Sequence, residues 1–141
     1  MDNLQMPYRL FYADGSAAMG VRVILEEVGE TYELIETEIG AGMPRAPELL
    51  AVNPNGWVPV LLWEHGAIYE CGAIVTFLCD RYPEFRLAPA ANDTDRGVFL
   101  QWLFFFSSSL QTAYQLTYNT DRYCESTTDH DNVQHLAGRR L

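Results

Sequence analysis

The sequence contains no lysine and has few basic residues for its length. Its 141 residues include 9 arginines against 19 aspartates and glutamates, which gives a formal net charge of −10. So acidic a chain repels phosphate backbones and anionic lipid headgroups. We therefore expect neither nucleic acid nor a membrane surface among its partners.

Long apolar runs and paired cysteines are also lacking. No apolar run approaches the roughly 18 residues that a membrane span requires, and residues 1–6 lack the basic segment and apolar core of a signal peptide. The three cysteines, Cys71, Cys79 and Cys124, form neither a C-x-x-C motif nor an even-numbered framework. We expect reduced thiols, a cytoplasmic location and no dithiol exchange chemistry.

A metal-ligand pattern is missing as well. His130 and His135 are five residues apart, where a helical metal site uses four, and no third ligand accompanies them. We therefore predict that the protein has no metal cofactor.

Apolar residues are abundant, and their spacing predicts two kinds of structure. They make up 48% of the chain, which is enough to form a buried core. Along residues 8–83 their period alternates between that of strands and that of helices. The predicted strands cover residues 8–13, 32–38, 58–63 and 67–69, and the predicted helices cover residues 16–28, 48–51 and 71–82.

Turn and cap residues separate these elements. Ser16 is suited to cap the first helix and Gly29 to end it, and residues 53–56 read Asn-Pro-Asn-Gly, a strong turn signal. The resulting order, β-α-β-β-β-α, is that of an α/β thioredoxin-like domain. We expect a parallel pair in its βαβ unit and antiparallel strands in the hairpin that follows.

The second part of the chain has a purely helical pattern. Small residues and prolines at 84–91 indicate a linker between a first domain at 1–83 and an all-α region at 92–141. Residues 92–95 are suited to cap a long helix, whose apolar side chains recur at spacings of three and four. A last helix is expected to begin near Asn132, so this helical domain looks incomplete.

Three blocks of the first part resemble bacterial glutathione S-transferases. Residues 11–16, 22–29 and 32–34 resemble the start of that family, and residues 53–61 resemble its proline loop. Residues 70–74 and 80–83 resemble its glutathione-carboxylate motif and third helix. The blocks follow the family's order and spacing. The resemblance implies a glutathione-binding first domain, a shortened helical second domain and a homodimer.

The resemblance also implies how glutathione binds. A cis bond between Val58 and Pro59 would turn the Val58 backbone outward to pair with the cysteinyl residue of glutathione. Glu70 would meet the α-ammonium group, and the N–H groups that begin a helix at Cys71 would meet the α-carboxylate. Trp57 replaces a polar or basic residue near the glycyl carboxylate, so glutathione binding is expected to be weak there, or another thiol preferred.

Each of these residues also has a purely structural interpretation. Pro59 could be an ordinary trans proline that opens a strand. Glu70 could be a negative charge that favours a helix dipole. Cys71, at a helix N-terminus, is expected to have a lowered pKa and to be reactive.

Among the expected site residues, the one that would activate the glutathione thiol is the least clearly defined by the sequence. Ala17 occupies the place of the cysteine in cysteine-type members. Ser16 beside it could donate a hydrogen bond to the thiolate or be a plain helix cap. Tyr12 is the second candidate, with a core aromatic whose hydroxyl is satisfied as the alternative.

The predicted function is conjugation of the glutathione thiolate to small apolar electrophiles, with glutathione as co-substrate. One alternative is a non-catalytic glutathione-binding or regulatory protein of the same fold. Another is a glutathione-dependent isomerase or lyase. Phe99 and residues 104–106 give the long helix more exposed aromatic surface than is stable in water, which predicts either an oligomer or a fragment whose missing helices cover these residues.

Overall fold

The computed structural model describes residues 7–40 and 42–141. The expectation that residues 1–6 are not a signal peptide lies outside the described residues. The chain divides into two compact units, one that ends at Asp93 and one from Thr94 to Leu141. The domain bounds at 83 and 92, with a linker at 84–91, remain a prediction.

The first unit is a mixed four-stranded sheet with three helices. Its elements are β1 (Tyr8–Tyr12), α1 (Ala18–Glu27), β2 (Tyr32–Glu36), α2 (Pro47–Val52), β3 (Val60–Trp63), β4 (Gly66–Tyr69) and α3 (Cys71–Arg81), followed by a 3-10 turn at Pro83–Phe85. The strand order is β2-β1-β3-β4. The β1–β2 pair is parallel, and the other two pairs are antiparallel. The predicted thioredoxin-like order is therefore confirmed.

The two faces of the sheet are buried by different helices. Successive side chains of a strand point to opposite faces, so Leu10 packs with α1 and α3 whereas Phe11 packs with Leu49 of α2. Leu61 and Val60 divide between the two faces in the same way. Burial on both faces explains why these strands are nearly continuous apolar runs.

Two elements of this unit, α1 and β3, start two residues later than predicted. The N-cap of α1 is Ala17, so the prediction that Ser16 occupies this position is wrong; Ser16 lies one residue earlier, and its Oγ accepts from the Ala18 N–H at 3.2 Å. The third strand begins at Val60, because Pro59 has no N–H to donate to the ladder. Gly29, with φ 69°, follows the end of α1 as predicted.

The second unit contains a long helix with an irregular middle and one further helix. Its elements are α4 (Arg96–Phe104), a π-helical segment (Phe105–Leu110), α5 (Gln111–Tyr118), a 3-10 turn (Thr120–Arg122) and α6 (Thr127–Gly138). The first three are contiguous, which confirms the predicted long helix. Within it, the hydroxyls of Ser107 and Ser108 donate to carbonyl oxygens four residues earlier, at 2.8 and 2.6 Å. Such bonds compete with the α-helical pattern and favour the π segment.

One of the two predicted helix starts in this unit is shifted. The first helix, α4, begins directly after the predicted cap segment 92–95, with Asp95 as the N-cap residue, although the Asp95 side chain makes no capping hydrogen bond. The last helix begins at Thr127 and not near Asn132, because Ser126 accepts from the Asp129 N–H at 3.1 Å and caps it. None of the described helices is both long enough and apolar enough to cross a bilayer.

Candidate functional site

The predicted binding residues meet where β3 begins and α3 begins. Val60 pairs with Tyr69 in the antiparallel β3–β4 ladder. The residues that extend this ladder, Pro59 and Glu70, are therefore neighbours. The Val58–Pro59 peptide bond is cis, as predicted.

The backbone hydrogen-bonding groups of Val58 are unpaired at this point. Within the described part of the chain, neither its N–H nor its C=O has a hydrogen-bond partner, although the turn that precedes it is held by hydrogen bonds to Asn53. The Asn53 side-chain amide donates to the Trp57 carbonyl at 2.9 Å, and the Asn55 N–H donates to Asn53 Oδ1 at 3.2 Å. Unpaired backbone groups next to a sheet are suited to pairing with an extended peptide.

Glu70 presents its carboxylate to solvent at the start of α3. It is the N-cap residue of α3, with a φ of 73°, and its side chain makes no capping hydrogen bond. A positive φ is uncommon in a residue other than glycine, and such residues cluster at ligand sites. The carboxylate of Glu70 is therefore not used to cap its own helix.

Cys71 joins the start of α3 to the start of α1. Its Sγ donates to the Ala17 carbonyl at 3.4 Å. Burial raises the pKa of the Cys71 thiol, and the charge of Glu70 raises it further. The prediction that the pKa of Cys71 is lowered is therefore wrong: desolvation of the thiolate outweighs the helix N-terminus. The thiol stays protonated and acts as a hydrogen-bond donor.

The two candidate hydroxyls both have partners inside the β1–α1 loop. Ser16 Oγ donates to the Ala13 carbonyl at 2.6 Å. The Tyr12 hydroxyl donates to the Asp14 carboxylate, and this hydrogen bond, with burial and the Asp14 charge, raises the pKa of Tyr12. Both hydroxyl protons are thus engaged; for Tyr12 this agrees with the alternative interpretation of a satisfied hydroxyl. Their roles toward a thiolate stay predictions.

Arg45 is a residue that the sequence analysis missed. Its guanidinium carbon lies 5.2 Å from the centre of the Trp57 ring. Its N–H groups donate to the carbonyl oxygens of Ile39, Gly40, Met43 and Gly56, at 3.1, 3.3, 3.0 and 2.9 Å. Arg45 thereby ties the loop before α2 to the turn before Val58. The sequence feature that could have identified Arg45 is its position between Pro44 and Pro47, in a chain with only 9 basic residues.

The histidines of α6 do not form a cluster with other ligating side chains. A ring nitrogen of His130 lies 2.9 Å from the Cys124 carbonyl oxygen. Across residues 7–40 and 42–141, no three His, Cys, Asp or Glu side chains are placed to hold a metal ion. The candidate site is therefore still the predicted one around Val58 and Glu70, where the structure places the predicted binding residues next to one another.

Comparison with known proteins shows which protein family this chain resembles. A family model described as "Glutathione S-transferase, N-terminal domain" matches residues 6–80. The glutathione S-transferase GstA of Escherichia coli O157:H7 is 27% identical over 115 residues, which are 80% of this chain and 57% of that protein. The transcriptional regulator URE2 of Saccharomyces cerevisiae is 37% identical over 95 residues, 62% of this chain and 27% of that protein. The chain thus spans about half, or less, of the length of these relatives.

A solved structure of Ure2p in complex with glutathione extends this similarity to three dimensions. Its TM-score is 0.77 at 26% identity, and the match covers 95% of this chain and 62% of that chain. The similarity therefore includes the helical unit as well as the sheet.

Proposed function

The chain belongs to the glutathione S-transferase family, and we propose that it binds glutathione along Val58 and transfers it to small apolar electrophiles. One observation carries the proposal. The unpaired backbone of Val58 lies beside the exposed carboxylate of Glu70, which stands at the start of α3. The solved complex of Ure2p with glutathione supports the choice of ligand.

Binding follows from the groups at this junction. The cysteinyl N–H and C=O of an extended tripeptide pair with the C=O and N–H of Val58, and each such bond contributes about 1 kcal/mol. Glu70 accepts from the α-ammonium group of the γ-glutamyl residue. The first N–H groups of α3, which have no partner inside the helix, donate to the α-carboxylate.

The reaction requires a thiolate near the start of α1. The sulfur attacks an electrophilic carbon and forms a C–S bond, the leaving group departs with its electron pair, and the thiol proton passes to solvent. The N-terminus of α1 carries partial positive charge and favours the thiolate. Cys71 brings this N-terminus to the groove through its bond to Ala17. For Ser16 to donate to the thiolate as well, its hydroxyl must leave the Ala13 carbonyl.

A second candidate is a glutathione-binding protein without turnover. The hydroxyls of Ser16 and Tyr12 are both engaged within their own loop, and residue 17 is an alanine. The relative URE2 is named a transcriptional regulator. These observations favour binding in which the thiol is held but not activated.

Titration calorimetry with glutathione tests the binding step. Replacing Glu70 with Gln removes the charge that faces the ammonium group, and affinity should fall about tenfold. Glu33→Gln is the matched control, because Glu33 is an exposed carboxylate of the same unit that pairs with Arg9 at 3.4 Å. Equal affinities for the two variants would show that Glu70 does not hold glutathione.

Turnover with a nitroaromatic acceptor separates the two candidates. A measurable rate that falls in Ser16→Ala supports transfer with Ser16 as the thiolate donor. An unchanged rate in Ser16→Ala leaves the α1 N-terminus as the activating group. Binding without turnover favours the second candidate, and the absence of binding contradicts both.

A further inference from the structure

Trp57 directly precedes Val58 in the chain, and the Arg45 guanidinium lies over its ring, so these two residues stand at the end of the proposed groove away from Glu70. A tripeptide that pairs with Val58 through its middle residue, and whose first residue reaches Glu70, carries its last residue past Trp57. In glutathione that last residue is a glycine with a free carboxylate. The groups around Trp57 therefore determine how strongly this carboxylate is bound.

Arg45 has few donors left for an anion. A guanidinium has five N–H donors, and four of those of Arg45 point to backbone carbonyl oxygens between 2.9 and 3.3 Å away. A bidentate pair with a carboxylate needs two parallel N–H groups. Arg45 is thus occupied in holding the loop to the turn, and a bidentate pair would break bonds within the fold.

Trp57 adds an apolar surface to this end. The residue is 36% exposed, and its ring centre lies 5.2 Å from the guanidinium carbon of Arg45. An indole carries no charge to offset the desolvation of a carboxylate. The formal net charge of −10 works against a second anionic group as well.

We infer that this site selects γ-glutamyl-cysteinyl peptides whose C-terminal end is uncharged, and binds them at least as tightly as glutathione. The inference rests on the proposed function, because it assumes that the peptide lies along Val58. It names a substrate class for that groove: an extended thiol peptide with one carboxylate, at its γ-glutamyl end, and an amide or ester at the other.

The decisive measurement compares two ligands on the full chain. Dissociation constants are measured by titration calorimetry for glutathione and for glutathione whose glycyl carboxylate is converted to an amide. We expect the amide to bind equally or more tightly. Tighter binding of glutathione overturns the inference while leaving the proposed function in place. If neither ligand binds, the proposed function fails first.

Two variants locate the effect at Trp57. Trp57→Lys places a cation at this end and should shift the affinity ratio about tenfold toward glutathione. Trp57→Phe keeps an aromatic ring beside Arg45 and should leave the ratio as in the parent chain. An unchanged ratio in Trp57→Lys, with a thermal midpoint that shows the variant is folded, would also contradict the inference. If that variant does not fold, the ratio in the parent chain still decides.

Discussion

The two units of this chain bury their apolar side chains to very different extents. In the first unit Leu10, Leu61 and Ile74 are fully buried between the sheet and its helices. In the second unit the buried residues are two alanines and a threonine, whereas Phe104 and Tyr118 are each 63% exposed. The first unit therefore closes its own core, and the second holds its helices together with little buried surface.

This difference in burial indicates which interactions stabilise each unit. A helix without tertiary packing is only marginally stable in water. In the second unit, side chains supply additional local bonds, such as Thr117 and Thr120 donating to carbonyl oxygens at 2.8 and 2.7 Å. The exposed aromatic side chains of this unit form an apolar patch of the kind that marks protein–protein interfaces.

The largest expected effect is on the closed core. Leu61→Ala should lower the free energy of unfolding by about 3 kcal/mol, because it opens a cavity beneath both α1 and α3. Leu136→Ala, at a leucine 62% exposed in the second unit, should change it by less than about 0.5 kcal/mol. Urea unfolding followed by circular dichroism measures both, and similar losses would break the contrast between the units.

A pair of glycine substitutions sharpens the same contrast. Gly56 has a φ of 68°, and a Cβ there would lie 2.8 Å from Arg45 Cγ, so Gly56→Ala should cost about 2 kcal/mol. Gly97 lies inside α4 with nothing within 4 Å of an added Cβ, so Gly97→Ala should stabilise by about 0.5–1 kcal/mol. Thermal unfolding of the two variants should therefore show shifts of opposite sign.

The aromatic surface of the second unit can be tested through association. Trp102, Phe105 and Phe106 contact one another on this surface, with Phe106 54% exposed. Phe106→Ser should weaken the proposed homodimer in sedimentation velocity and lower the binding of a hydrophobic dye. Val23→Ser, at a non-aromatic side chain 58% exposed on α1 in the first unit, is the control and should alter neither. Identical behaviour of the two variants would mean that this surface has no partner.

The smallest effect expected is a difference in pH dependence. The folded thiol of Cys71 has a raised pKa, so the folded state keeps a proton that the unfolded state loses above its ordinary value near 9.0. This stability is fully present below that pH and falls as the pH rises toward the folded value. Cys71→Ser does not titrate there, so its unfolding free energy should decline less steeply in alkali. Parallel curves for the two proteins would indicate that Cys71 has an ordinary pKa.

The proposed binding residues could be identified from the sequence because their features are local. The Asn-Pro-Asn-Gly turn, the proline at 59 and the acid at 70 can each be recognised from the few residues around them. Hydrogen-bond partners were not accessible in the same way. Which carbonyl oxygen takes the Ser16 proton, and which takes the Cys71 proton, depends on atoms that the fold brings together from distant positions.

The sequence by itself determined the order of strands and helices, the turn before Val58 and the position of an acid at the start of α3. These follow from side-chain periodicity and from the fixed backbone preferences of proline and glycine, which act over short distances. Only the tertiary structure decided that Cys71 is a protonated link to α1 and that Arg45 is held by four carbonyl oxygens. Desolvation and competition for hydrogen-bond partners set both outcomes, and both depend on which surfaces meet when the chain has folded.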